Sequence, residues 1–348
     1  MHEKNLTRSL LLIIIFAVLC FAAVFTIRGE RAVCEVLCHE ESQVFSASGR
    51  SACIATERET QTVLHENNAD VRLPMASTTK IMTALLICED CNPDEVVIVP
   101  DKAINVEGSS IYLKKGEEID IRDLLYGLML RSGNDAANAL ALIHSGSLSA
   151  FADRMNERAR EIGAADTSFK NPSGLPDEEH YTTARDLCKI ACTAMNNALF
   201  REIVGTKSWH GKYRSYANKN KTLFNYAGAT GIKTGYTLKA GRCLVSSALK
   251  SGMEVVCVVL NESDMYNKSF SVLDDCFENF ELVEADREKI FLCGGKPCRT
   301  RGFKVVLKKG EETEYRCLPG VCENDIVGKL QIYSQNNLIF TADLYSIV

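Results

Sequence analysis

The sequence predicts an α+β protein in which helices flank an antiparallel sheet, followed by a small all-β domain. Apolar residues recur at helical spacing through the middle third of the chain, and the next segments change to the composition of strands. The clearest helical stripe consists of Ile121, Leu124, Leu125, Leu128 and Met129, and the predicted strands are 231–236, 243–249 and 254–260. Beyond residue 289, short strands alternate with turn residues. The 348 residues suffice for one large core and a smaller domain.

The N-terminus carries an apolar run without charge, Ser9 to Ile27, which is long enough to span a bilayer. No clear small-x-small cleavage site follows it, which favours an uncleaved anchor over a signal peptide. We therefore expect an anchor or signal peptide at 1–28, a linker at 29–45, a large domain at 46–283 and the β domain at 284–348.

Charge and cysteine content exclude two classes of partner. A formal net charge of -5 provides no basic surface for nucleic acid. Cys88-x-x-Cys91 has no second pair to complete a metal site, so we expect neither a metal nor a cofactor. Four cysteines near the C-terminus are expected either to form one or two disulfides or to be small buried apolar residues. They are Cys293, Cys298, Cys317 and Cys322.

The segment Ser77-Thr78-Thr79-Lys80 follows Pro74 and opens a helical pattern, so Ser77 is predicted at a helix N-terminus. The i, i+3 spacing places its hydroxyl and the Lys80 amine on one face. Burial and nearby positive charge would lower the pKa of Lys80, so that its neutral amine can activate Ser77 as a nucleophile. The alternative for Lys80 is a solvated surface lysine.

The same spacing recurs in Ser247-Ala248-Leu249-Lys250, at the end of a predicted strand. Residues three apart on a strand point to opposite faces, so Ser247 and Lys250 are expected not to meet. The spacing alone is therefore weak evidence for chemistry.

Two further segments are candidates for the same site. Ser132-Gly133-Asn134 interrupts two predicted helices and can project both polar side chains into a cleft, although helix capping by Asn134 or Asp135 is the simpler interpretation. Lys233-Thr234-Gly235 lies on a predicted strand, where glycine lets a substrate backbone approach and the other two side chains can hold a carboxylate. The alternative is an ordinary edge strand with a protective lysine.

Three segments of this type, in this order, are characteristic of penicillin-binding proteins and class A β-lactamases. Together with Asn171-Pro172-Ser173-Gly174-Leu175, they make the chain resemble the low-molecular-mass penicillin-binding proteins that are D-alanyl-D-alanine carboxypeptidases, in serine peptidase family S11. The resemblance spans nearly everything after the N-terminal run. It implies a β-lactamase/transpeptidase-like catalytic domain at 46–283.

The resemblance also implies roles for individual residues. Ser77 is acylated as D-alanine leaves, Lys80 is its base, and Ser132 and Asn134 assist proton transfer and substrate binding. Lys233 and Thr234 hold the substrate carboxylate, and the backbone N–H groups of Ser77 and Tyr236 form the oxyanion hole beside Gly235. The implied substrates are peptidoglycan stem peptides ending in D-Ala-D-Ala, with β-lactams as covalent inhibitors.

Two departures from the family pattern affect these expectations. Relatives often carry a carboxylate-binding arginine early in the last helix of the catalytic domain, where we align Lys268, so a weaker substrate grip is expected. Many relatives also end in an amphipathic membrane helix, which Leu344 to Val348 does not resemble. We therefore expect the N-terminal segment to hold the enzyme on the bacterial cell membrane, with its catalytic domain outside the cytoplasm.

Three other functions are alternatives to the carboxypeptidase. A β-lactamase of class A would need a Glu-x-x-Leu-Asn segment, which the sequence lacks. A non-catalytic penicillin-sensing or wall-binding module would keep the acylation motifs without turnover. An α/β-hydrolase esterase would need a Gly-x-Ser-x-Gly motif, which is also missing, and none of the six histidines has an evident triad context.

Overall fold

The structure is a computed structural model that describes residues 50–347 other than 286 and 324. The predicted anchor at 1–28 and the predicted linker at 29–45 lie outside the described residues. Within the described part of the chain, no helix is both long and apolar enough to cross a membrane.

The described chain is α+β, as predicted. The helices are α1 (Lys80–Asp90), α2 (Ile121–Leu130), α3 (Asn134–Ser145), α4 (Leu148–Ile162), α5 (Ala184–Ala194), α6 (Ala198–Gly205), α7 (Thr222–Asn225) and α8 (Met265–Asn279), with short 3-10 turns at Ala76–Thr79 and Asp101–Ala103. The first strands are β1 (Ala52–Glu57), β2 (Val63–Asn67), β3 (Val96–Ile98), β4 (Glu118–Asp120), β5 (Ser208–His210), β6 (Ser215–Ala217), β7 (Ala229–Thr237), β8 (Gly241–Lys250) and β9 (Met253–Leu260). The later strands are β10 (Phe280–Ala285), β11 (Ile290–Cys293), β12 (Lys296–Arg299), β13 (Phe303–Lys308), β14 (Thr313–Glu323), β15 (Ile326–Ser334) and β16 (Asn337–Ser346).

The central sheet is antiparallel and has the strand order β2-β1-β9-β8-β7. Every residue of β9 is buried, because helices cover both faces of the sheet. Alternate residues of this strand therefore enter different cores: Val256 and Val258 pack with the helical middle of the chain, whereas Val255 and Val259 pack with α8. Strand β7 lies at the edge of this sheet.

Helix boundaries in the middle third follow local capping chemistry. Asp120 accepts a hydrogen bond from the Asp123 N–H at the start of α2, and Thr183 accepts one from the Asp186 N–H at the start of α5. Between α2 and α3, Ser132 has a positive φ of 62°, which turns the chain sharply.

The C-terminal strands form a second sheet of order β11-β12-β16-β15-β14 and a pair of β10 with β13. The predicted domain boundary at residue 283 falls inside β10, which pairs along its length with β13. Cys293 and Cys298 are buried free thiols, which is the second of the two outcomes expected for these cysteines, and Cys317 is a half-buried free thiol. The side chain of Cys322 lies outside the described residues.

Candidate active site

The candidate nucleophile lies in the 3-10 turn Ala76–Thr79 that leads into α1. Two threonine hydroxyls tie this turn to its own backbone: Thr78 Oγ1 donates to the Met75 carbonyl at 2.6 Å, and Thr79 Oγ1 donates to the Ala76 carbonyl at 2.8 Å. Ser77 lies in the same turn and lines a cavity. The two threonines thus hold the turn that presents the serine.

Lys80 begins α1 and is fully buried, at 0% exposure. Its Nζ donates to Ser77 Oγ at 3.1 Å, to Asn134 Oδ1 at 2.7 Å and to the Ser173 carbonyl at 2.5 Å. In the neutral amine, two N–H bonds can serve Asn134 and Ser173, which directs the lone pair at Ser77. The arrangement therefore suits Lys80 as a base for the serine.

A single side chain organises the loop that supplies the Ser173 carbonyl. Asn171 Oδ1 accepts hydrogen bonds from the N–H groups of Ser173, Gly174 and Leu175 and from the Ser173 hydroxyl. Gly174 has a φ of +85°, and a Cβ there would lie 1.9 Å from the Ala76 carbonyl oxygen. Only glycine lets this loop pack so closely against the serine turn.

The electrostatics of the site favour a neutral Lys80. Burial first, and then the charge of Lys233, lower the pKa of Lys80 well below its ordinary value, while Asp135 acts in the opposite direction. Burial and the charge of Lys219 lower the pKa of Lys233 to about 7. Burial and Arg131 in turn lower the pKa of Lys219. The charge of Arg131 thus favours neutral Lys219, the charge of Lys219 favours neutral Lys233, and the charge of Lys233 favours neutral Lys80.

Strand β7 forms the wall opposite Ser77. A Cβ on Gly235 would lie 3.0 Å from the Ser77 nitrogen, so the strand approaches the serine turn as closely as a backbone can. Thr234 and Tyr236 line the cavity on either side of this glycine. Lys233 is buried, at 3% exposure, and its Nζ donates to the Thr234 carbonyl at 2.9 Å. Its ammonium therefore acts behind the cavity wall.

The Ser132-Gly133-Asn134 break brings two polar side chains to the site. Asn134 Nδ2 donates to the Glu107 carbonyl at 2.6 Å, which fixes the amide so that its oxygen faces Lys80. Asn134 is not the N-cap of α3, because Gly133 occupies that position and makes no side-chain cap hydrogen bond. Ser132 lines the cavity, and no hydrogen bond to its hydroxyl occurs among the described residues.

The cavity has a volume of about 410 Å³. Its lining residues are Ser77, Ser109, Ser132, Lys219, Thr234, Gly235, Tyr236, Arg242, Met265 and Tyr266. The structure thus gathers Ser77, Ser132, Thr234, Gly235 and Tyr236 around one opening, with Lys80, Asn134 and Lys233 directly behind them.

Lys268 is not among the residues that the structure brings to this cavity. Helix α8 begins at Met265, and Met265 and Tyr266 line the opening, whereas Lys268 lies a helical turn farther along. There its charge acts on two residues of the neighbouring strands. The pKa of Cys53, on β1, is lowered mainly by a hydrogen bond with Cys257, and the charge of Lys268 lowers it further. The pKa of His65, on β2, is lowered mainly by burial and then by the charge of Lys268. Lys268 therefore lies early in α8, where the resemblance places it, but it does not line the cavity.

Sequence reasoning missed several residues of the site. Ser173 contributes a backbone carbonyl, which leaves no trace in residue type, although the Asn171-to-Leu175 motif pointed to this loop. His180 lies behind the serine turn, where its Nδ1 accepts from the Lys170 N–H at 3.0 Å and its Nε2 lies 2.7 Å from Thr79 Oγ1. Burial lowers the pKa of His180 to about 4, so it is neutral near pH 7.

The second Ser-x-x-Lys segment has no such geometry. Ser247 is fully buried and its Oγ lies 2.7 Å from Thr230 Oγ1, while Lys250 Nζ donates to the Tyr226 hydroxyl at 2.8 Å. The expectation that Ser247 and Lys250 do not meet is confirmed.

Comparisons with known proteins agree on one family. The profile of the family described as D-alanyl-D-alanine carboxypeptidase, peptidase family S11, matches residues 39–264. The D-alanyl-D-alanine carboxypeptidase DacF of Bacillus subtilis is 36% identical over 243 residues, which are 66% of this chain and 62% of that protein. The D-alanyl-D-alanine carboxypeptidase of Streptomyces sp. K15 is 38% identical over 223 residues, or 58% of this chain and 77% of that protein.

Solved structures show the same fold. The carboxypeptidase DacD of Francisella tularensis superposes with a TM-score of 0.72 over 85% of this chain and 92% of that one, at 24% identity. A serine-to-alanine mutant of the Streptomyces K15 DD-transpeptidase gives a TM-score of 0.63 at 32% identity, over 65% of this chain and 97% of that one. These likenesses confirm the predicted transpeptidase-like fold.

Proposed function

Because the chain belongs to the D-alanyl-D-alanine carboxypeptidase family, we propose that it is a serine enzyme that removes the terminal D-alanine from peptidoglycan stem peptides. One observation carries the proposal: Lys80 Nζ lies 3.1 Å from Ser77 Oγ, and Ser77 opens onto the cavity. A nucleophile beside a base of lowered pKa is the requirement for acyl transfer.

In the acylation step, the neutral Lys80 amine accepts the Ser77 hydroxyl proton while Oγ attacks the carbonyl carbon of the penultimate D-alanine. The backbone N–H groups of Ser77 and Tyr236 stabilise the oxyanion. The C–N bond then breaks, and the proton reaches the nitrogen of the departing D-alanine through Ser132. Water hydrolyses the resulting ester and returns the proton to Ser77.

The substrate lies between β7 and the Ser132-Gly133-Asn134 break in this proposal. Asn134 and Gly235 contact its backbone, and the Thr234 hydroxyl binds its terminal carboxylate. Lys233 contributes positive charge from behind the wall, since its Nζ already donates to the Thr234 carbonyl. β-Lactams present the same acyl carbon and a carboxylate, so they acylate Ser77 as substrate mimics.

We also propose that the enzyme works at the bacterial cell membrane with its catalytic domain outside the cytoplasm. The uncharged apolar run from Ser9 to Ile27 supports this location, because its length matches the hydrocarbon core of a bilayer. The proposed substrate is also found there. Fractionation of cells expressing the full chain, followed by protease treatment of intact cells, tests both parts of the proposal.

The activity is tested on two portions of one enzyme preparation. One portion is incubated with penicillin and analysed by intact mass, and the untreated portion is assayed for D-alanine released from a peptide ending in D-Ala-D-Ala. A stable penicillin adduct together with D-alanine release from untreated enzyme supports the carboxypeptidase. An adduct without any D-alanine release supports a penicillin-sensing module instead, and rapid penicillin turnover supports a β-lactamase.

A further inference from the structure

The cavity contains cations without matching anions. Lys219 and Arg242 line it, and no aspartate or glutamate does so among the described residues. No described residue forms a hydrogen bond or an ion pair with either side chain. Other arginines of this protein are paired, for example Arg214 with Glu117 and Arg158 with Glu89.

The position of Arg242 follows from strand register. Arg242 on β8 is directly opposite Tyr236 on β7, and Thr234 precedes Tyr236 by two residues. Because alternate residues of a strand share a face and paired residues point the same way, Thr234, Tyr236 and Arg242 project from one face of the sheet. Diagonal neighbours across a strand pair are within reach of a long side chain.

Gly235 faces the other way, toward the Ser77 nitrogen, as the position of its missing Cβ shows. Ser77, Thr234, Gly235 and Arg242 nevertheless line one cavity, so a peptide whose scissile bond lies at Ser77 enters the space that Thr234 and Arg242 also border. In the proposed reaction, the group just beyond the scissile bond is the terminal D-alanine, with its carboxylate.

Helix α8 supplies no cation at this place. Its first residues put a thioether, Met265, and a phenol, Tyr266, against the cavity, and Lys268 lies a turn away. Arg242 is close enough to Tyr266 for its charge to lower the pKa of that phenol, although burial has the larger effect and raises it. Arg242 thus lines the cavity together with the first residues of α8.

We propose that Arg242 is the specificity-determining residue that binds the terminal carboxylate of the substrate, together with the Thr234 hydroxyl. This inference rests on the proposed carboxypeptidase function. A guanidinium fork can bind both oxygens of a carboxylate, which a single ammonium cannot do with the same geometry. Arg242 on β8 thus supplies the guanidinium that relatives often carry where this chain has Lys268.

The test compares Arg242→Gln with Lys268→Gln in the full chain. Both variants remove one positive charge, but only Arg242 lines the cavity. For a peptide ending in a free D-Ala-D-Ala carboxylate, R242Q is expected to lower kcat/KM about 10–100-fold, mainly through KM, because a charged hydrogen-bond partner is lost. K268Q is expected to leave kcat/KM unchanged. Arg242→Lys is expected to lie between wild type and R242Q.

A second substrate separates binding of the carboxylate from damage to the site. With a thioester that acylates Ser77 but carries no terminal carboxylate, wild type and R242Q are expected to react equally fast. Equal losses of R242Q on both substrates, no loss on the peptide, or a loss in K268Q would each overturn the assignment of Arg242. Wild-type enzyme that releases no D-alanine would instead overturn the proposed function.

Discussion

The amine of Lys80 lies 3.1 Å from the hydroxyl of Ser77, and its other two hydrogen bonds are to the Asn134 side chain and the Ser173 backbone. These two acceptors orient the amine, and burial lowers its pKa. The pairing defines how the rate of acylation should depend on pH. Acylation requires neutral Lys80, so its rate is expected to rise with pH and to reach a plateau above the Lys80 pKa.

Replacing Lys233 with methionine tests the electrostatic part of this account. The Lys233 ammonium disfavours protonation of Lys80, so removing it raises the Lys80 pKa. The acidic limb of the pH profile for penicillin acylation is expected to move to higher pH in Lys233→Met. Lys239→Met is the control, because Lys239 lies in the same hairpin but pairs with Glu178. An unchanged acidic limb in K233M would contradict the account.

Asn171 is predicted to matter for catalysis through the position of the Ser173 carbonyl. Asn171→Ala leaves three N–H groups of the loop without their acceptor, so we expect a stability loss of about 1–3 kcal/mol. The displaced carbonyl no longer orients Lys80, and acylation should slow about tenfold or more. Stopped-flow acylation and denaturant unfolding measure the two effects.

The control for Asn171 is Asn156→Ala. The Asn156 side chain accepts a hydrogen bond from the Phe169 N–H and donates one to the Phe169 carbonyl, in the same region of the chain. It does not organise the segment that contacts Lys80. We expect a comparable loss of stability with normal acylation. If both variants acylate equally slowly, Asn171 acts only through stability.

His180 is predicted to affect stability in acid without setting the pH dependence of catalysis. Burial lowers the pKa of His180 from 6.5 to about 4. Between pH 6.5 and pH 4, His180 is therefore protonated in the unfolded chain but neutral in the folded chain. Wild-type stability should therefore fall by up to about 3 kcal/mol as pH drops from 6.5 to 4 on account of this residue.

Melting temperatures across this pH range check the His180 prediction. His180→Gln keeps a donor for Thr79 and removes the titration, so its melting temperature should depend less on pH than that of wild type. His210→Gln, at an exposed histidine, should follow wild type. If the melting temperature of H180Q falls with pH as steeply as that of wild type, other groups cause the loss of stability in acid. Acylation above pH 6 should be the same in all three proteins.

Local contacts of the site were predictable from the sequence, and long-range ones were not. Ser77 and Lys80 meet because they are three residues apart at a helix start, and Ser247 fails to meet Lys250 because strand geometry separates them. The Ser173 carbonyl is a backbone group of a distant loop. Arg242 faces the cavity only because of its pairing with Tyr236, and register is not fixed by local sequence.

The surroundings of Lys268 were also beyond the sequence. Helix periodicity identified the apolar face of α8, which packs Val272, Leu273 and Cys276 against the sheet. Lys268 is the fourth residue of this helix, early in it as the family resemblance implies. Which side chains of the first turn line the cavity depends on how the helix packs on the sheet, and the structure has Met265 and Tyr266 there.

In the proposed mechanism Ser77 alone forms the acyl-enzyme. Peptide mapping of the penicillin adduct by mass spectrometry, in wild type, Ser77→Ala and Ser247→Ala, tests this assignment. We expect one adduct, on the peptide that contains Ser77, present in wild type and S247A and absent from S77A. An adduct that persists in S77A, or one that maps to any other residue in the wild-type enzyme, would contradict it.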